Sequence, residues 1–195
     1  MQGLHHQQQQ LAGLLSVALA KDTSSSANPN KITNTTTVSE EDDSARLAAI
    51  NSLHRTILYP PNSLLVSHSS NFLFQGFSQL LLDKSYSVRR CAAIAYGGLC
   101  AVLCPNPLTS NGRQNHHVIN GGLVDRFIGW AFPLLRDVVV GDGNAELALE
   151  ALREFLNAGD AVGIERYVLP ILKSCQELLE DERTSLIDCI SFWVY

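Results

Sequence analysis

The sequence lacks a clustered basic stretch. Its 14 lysines and arginines are scattered, with Arg89–Arg90 the one adjacent pair, against 19 acidic residues and a formal net charge of −5. Phosphate binding requires a concentrated basic face, so no nucleic-acid partner is expected. Charged residues of both signs make up only 17% of the chain while hydrophobic ones reach 46%, so much of it must be packed. Any Cys-x-x-Cys pair is missing as well, and the odd set Cys91, Cys100, Cys104, Cys175 and Cys189 closes no disulfide framework. Cys91, Cys100, Cys175 and Cys189 stand among apolar neighbours at helical spacing, where a free thiol acts as a small core residue. That pattern points to a reducing compartment, cytoplasmic or nuclear.

Long hydrophobic runs are also absent. The longest near-apolar stretch, Cys91–Cys104, has 14 residues, too few to span a bilayer. The apolar run Leu11–Ala20 follows glutamines rather than a basic segment, so it does not read as a signal peptide. Asn34–Thr35–Thr36 matches a glycosylation acceptor that a reducing compartment would leave idle. No membrane partner is expected, and a soluble protein is.

What the chain does contain is helical periodicity broken by polar segments. Gln2–Gln10, with His5 and His6, is expected to fray; Leu11, Leu14, Leu15, Ala18 and Leu19 then make one helical face. Thr23–Val38 is rich in Ser, Thr and Asn and cannot bury enough surface to offset its ordering entropy. Ser39–Glu40–Glu41–Asp42 closes it as a helix start, with an acidophilic kinase site as the alternative reading. The expected organisation is an N-terminal helix over 1–22, a disordered polar linker over 23–43, and helical repeats over 44–195 with a loop at 105–122.

Within the repeats, a helix over Ser44–Tyr59 ends at Pro60–Pro61. A short helix at Leu64–Val66 follows, capped by Asn62 or Ser63. Phe72–Leu82 and Val88–Leu103 form a pair around the turn Asp83–Ser87. Gly97 and Gly98 in the second helix each cost about 1 kcal/mol against alanine, which calls for a tight helix contact there. Turn chemistry dominates Pro105–Gly122. Further helices follow over Leu123–Val140, with Pro133 inside, Ala145–Asn157, Ile164–Leu179, with Pro170 inside, and Thr184–Tyr195.

The turns repeat. Asp83 precedes Val88 by five residues, as Asp142 precedes Leu147 and Asp181 precedes Leu186. The spacing is 39 residues from Leu147 to Leu186 and 41 from Leu47 to Val88. A period of about 40 residues per helix pair is that of HEAT and armadillo arrays, whose units bury their apolar faces only by stacking. The expected fold is therefore all-α, an α-α superhelix of three to four helix pairs.

Leu80-Leu81-Leu82-Asp83, Val88-Arg89, Ala92-Ala93, Ala95 and Leu99 together resemble the HEAT-repeat signature. The resemblance implies that Asp83 and Arg89 join an Asp/Arg ladder between neighbouring repeats. Ala148 and Ile187 stand where the later copies would carry the arginine, so a continuous ladder is not expected. The run from Ala45 to Ser70 is similar to the N-terminal part of plant armadillo-type proteins. The resemblance covers roughly Asp42 to Tyr195 and speaks to fold alone. Phe192, Trp193, Val194 and Tyr195 end the chain without a polar outer face, from which a fragment of a longer array is expected.

Chemistry-bearing constellations are sparse. His116–His117 with Cys104 lacks the spacing that holds a tetrahedral ion. Cys104 with His116 as thiol and base lacks an orienting acid. Gly141–Asp142–Gly143 lacks the strand and lysine of a phosphate-binding loop. No catalytic, metal or cofactor site is expected. Asp83, Val88, Arg89, Asp142 and Asp181 are the structural repeat positions, and Arg90 and Trp193 the candidate partner contacts. The function this supports is a non-enzymatic scaffold for a protein partner, with a regulatory subunit or fragment active only when docked as the alternative.

Overall fold

Leu65, Ser69, Leu73, Phe77 and Leu80 recur every three or four residues, and in the computed structural model they line the buried side of one helix, Ser63–Leu80. The structure describes residues 2–20, 36–59, 62–104, 114–136 and 143–180. They form α1 (Gln2–Leu19), α2 (Thr36–Leu58), α3 (Ser63–Leu80), α4 (Tyr86–Leu103), α5 (Gln114–Arg136), α6 (Asn144–Ala158) and α7 (Ala161–Glu180). No strand occurs among the described residues, and the class is all-α.

Neighbours in sequence pack as pairs: α1 on α2, α3 on α4, α5 on α6. Across the pairs, α2, α4 and α6 form one row and α1, α3 and α5 the other, while α7 touches α5. Helix α4 sits at the centre, buried on nearly every side through Val88, Ala92, Ala93, Ala95, Tyr96, Gly97, Gly98, Leu99 and Cys100. Its small side chains let two neighbours come close. A Cβ on Gly97 would collide with the Ala151 carbonyl oxygen of α6, so only glycine fits that crossing.

An aromatic chain threads the core. Ring centroids lie 5.0 Å apart for Phe74–Tyr96, 5.2 Å for Tyr96–Phe127, 5.5 Å for Phe127–Phe155 and 5.8 Å for Phe155–Tyr167. It links α3 to α7 through every helix between. Such aromatic pairs add about 0.5–1.5 kcal/mol each beyond the area they bury.

Four sequence expectations need correction. The Gln-rich start is helical from Gln2, with His5 against Gln9 at 3.4 Å and His6 against Gln10 at 3.2 Å, each one turn apart. Helix α2 begins at Thr36 rather than Ser44, so residues 36–43 of the linker expected over 23–43 are helical, while its residues 23–35 lie outside the described residues; the Asp43–Arg46 pair at 3.2 Å joins the added turns to the rest of the helix. The short helix at Leu64–Val66 and the helix from Phe72 are one helix, α3, because Ser69 and Ser70 are buried between them and continue its inner face. Helix α5 begins at Gln114, so His116–His117 and Asn120–Gly122 are helical rather than part of a loop over 105–122. Burial of Leu123, Val124 and Phe127 outweighs the local preference of Asn and Gly for turns. Asp142, Asp181, the helix expected over Thr184–Tyr195 and Trp193 lie outside the described residues, as does Cys189.

Candidate functional site

Glu146, Glu150 and Glu154 stand four residues apart along α6, which places three carboxylates on one stripe of the helix. Each is met from a neighbouring helix. Tyr86 of α4 donates its phenol O–H to Glu146, and Arg90, one turn along α4, donates to Glu150 at 2.6 Å. Glu154 is met from α2 instead. His54 reaches it at 3.0 Å, passing α4 where Gly98 carries no side chain. The stripe thereby joins all three helices of the row.

The electrostatics follow the geometry. Partial burial and then the bond to Glu146 push the Tyr86 phenol up to about 12. The bond and charge of Glu150 raise Arg90 above its usual value. Arg90 is half-exposed on its side chain, so this pair is an exposed one, worth about 0.2–1 kcal/mol.

A second, more buried centre lies at the turn after α3. Burial opposes ionisation of Asp83, yet the bonds from Arg46 and from the Ser85 N–H at 2.9 Å hold its carboxyl below the usual carboxylate value. Arg46, on α2, is 8% exposed. It donates through both terminal nitrogens to Asp83, and through Nε to the Ala18 carbonyl of α1 at 3.1 Å. One guanidinium thus fastens α1, α2 and the α3–α4 turn. Arg89 folds back on that same turn, donating to the carbonyls of Asp83 at 2.9 Å and Lys84 at 3.1 Å, while its Nε is buried with no partner.

Asp83 is therefore bound to the preceding pair of helices through Arg46, and Arg89 touches it through the main chain. The turn spacing alone does not single out Arg46, although the sequence carries a signal for it. The buried positions Ala49, Ile50 and Leu53 of α2 match Ala92, Ala93 and Tyr96 of α4 at a spacing of 43, which sets Arg46 opposite Arg89. The 41-residue spacing instead sets buried Ala92, Ala93 and Tyr96 against Asn51, Ser52 and Arg55, all exposed. Arg90, a candidate partner contact by sequence, is held by Glu150.

Cys104 is a protonated donor here. Burial pushes its thiol up to about 11, and Sγ donates to the Gly163 carbonyl at 3.0 Å. Among the described residues no three His, Cys, Asp or Glu side chains gather as a metal set. No described helix is long and apolar enough to cross a membrane. What the arrangement does chemically is to hold helices of one row in register. No family model, curated protein or solved structure matches the chain.

Proposed function

We propose that the chain is a HEAT/armadillo-like α-solenoid acting as a non-enzymatic scaffold for a protein partner. One observation carries this reading: equivalent positions recur in adjacent helices of a row. Val88, Ala92, Ala93 and Tyr96 of α4 correspond to Leu147, Ala151, Leu152 and Phe155 of α6, all at a spacing of 59 and all buried. Such recurrence supports a stack of like units, each covering its neighbour's apolar face. The free thiols Cys91, Cys100 and Cys104 support a reducing compartment, cytoplasm or nucleus.

The test is cross-linking of complexes captured on the full chain, followed by mapping of the linked residues. A scaffold gives a stoichiometric partner linked along one helix row, and keeps it when Cys104→Ser and His116→Ala are combined. Loss of a measurable turnover in that double variant, with binding unchanged, would replace the scaffold by an enzyme. A second reading, a subunit active only once docked, is favoured by Leu169 and Leu172 of α7, which are 74% and 57% exposed. Sedimentation of the isolated chain as a stable monomer that binds no hydrophobic dye would remove it.

A further inference from the structure

Between α3 and α5, in the row opposite the carboxylate stripe, lies an open groove of about 340 Å³. Tyr96 of α4 forms its floor. Trp130 stands on that floor with its ring centroid 5.7 Å from Tyr96, and Phe74, Leu81, Leu82, Leu134 and, from α6, Leu147 form the apolar walls. Leu82 is 86% exposed.

Arg126 is the only charged side chain among the described residues that line the groove. Within that same set it has neither a hydrogen bond nor an ion pair, whereas Arg46, Arg90 and Arg153 each face a carboxylate. An unpaired guanidinium at the edge of an aromatic floor complements an anion beside an apolar group. The volume is at the low end of the roughly 300–1,000 Å³ range of ligand pockets, enough for one or two side chains.

We propose that this groove binds an acidic peptide segment, seating a leucine or phenylalanine on the Tyr96–Trp130 floor and a carboxylate against Arg126. The proposal rests on the scaffold reading and adds a docking site to it. Arg126 selects the charge, and the aromatic floor supplies the desolvated anchor that dominates such contacts.

The probe is a fluorescein-labelled, end-capped peptide, Gly-Asp-Glu-Leu-Phe-Glu-Asp-Gly, followed by anisotropy against the full chain. Saturable binding is expected. Arg126→Glu should weaken it about tenfold, and the same peptide with lysine for each acid should recover affinity on that variant. Leu82→Arg, at a site already in solvent, should weaken it without unfolding the chain, while Arg55→Glu on α2 should leave it unchanged. Equal affinity across all variants, absence of saturation, or displacement by benzoate as effectively as by unlabelled peptide would overturn the proposal. If the cross-linked partner is retained while the peptide fails to bind, the groove falls and the scaffold reading stands.

Discussion

His54 of α2 and Glu154 of α6, 100 residues apart in sequence, meet at 3.0 Å across the face of α4. The contact exists because Gly98 presents no side chain: a Cβ there would stand 2.9 Å from His54 Nε2. Two helices that flank a third are thus joined directly.

The glycine pair should split in its response to alanine. By helix propensity alone, either change would stabilise by about 1 kcal/mol. At Gly97 the obstacle is the Ala151 backbone carbonyl, which cannot turn aside, so Gly97→Ala should destabilise by about 2 kcal/mol or more. At Gly98 the obstacle is a side chain that can swing away, and the His54–Glu154 contact it gives up is worth about 0.2–1 kcal/mol. Gly98→Ala should be near neutral. Urea midpoints compare the two, and equal midpoints would contradict the close α4–α6 crossing.

Removing Arg46 should cost about 3–5 kcal/mol, because the Asp83 carboxylate stays buried without its guanidinium, whereas removing Asp83 leaves Arg46 facing Asp43 at 3.2 Å and should cost less. Replacing both, as Arg46→Met with Asp83→Leu, should cost less than Arg46→Met alone. A double variant whose loss equals the sum of the two single losses would show that the two residues act separately.

Acid should weaken the same joint. The folded Asp83 carboxyl titrates below its unfolded value of about 3.9. Its stabilisation is therefore complete above about pH 4 and is lost as pH falls through the folded value. Asp83→Asn should flatten that part of the acid unfolding profile. An unchanged acid slope in the variant would assign the loss to other carboxylates.

Alkaline titration should find Tyr86 late. Its folded value of about 12 exceeds the unfolded value of about 10, so the contribution is complete below about pH 10 and disappears as pH rises toward 12. In a spectrophotometric titration, Tyr86→Phe should remove one phenol from the late phase shared with Tyr167, which burial likewise raises to about 12. Loss of an early-titrating phenol instead would mean that the Glu146 contact is open in solution.

Thiol labelling should separate the cysteines by burial. At pH 8 a thiol titrating near 11 is ionised to about one part in a thousand, so native Cys104 should stay unlabelled by iodoacetamide, as should fully buried Cys100. Of the three described thiols, half-buried Cys91 should label first, read by peptide mass spectrometry. Rapid labelling of Cys104 in the native chain would show its contact with Gly163 to be broken in solution.

Much of the helical architecture was legible because an apolar face is a local pattern. Leu73, Phe77 and Leu80 place the second half of α3, and Leu147, Ala151, Leu152 and Phe155 place α6, from spacing alone, whereas the first half of α3 reads as a separate short helix. Helix extents were less legible at Gln2–Gln10, Thr36–Asp43 and Gln114–Gly122, where few apolar residues mark a face. The Glu146–Glu150–Glu154 stripe is visible as a four-residue repeat on one helix, but its partners Tyr86, Arg90 and His54 lie on other helices, where no local pattern points to them.

The sequence by itself determined that the chain is helical, where its inner faces lie, and that α4 is made of residues small enough to be approached closely. Partner choice was decided only in three dimensions. Asp83 meets Arg46 across 37 positions and Glu154 meets His54 across 100, and no local period encodes which helices cross or at what height. A charge on a helix face states what it needs; the packing angle and the absence of a side chain at Gly98 decide which residue supplies it.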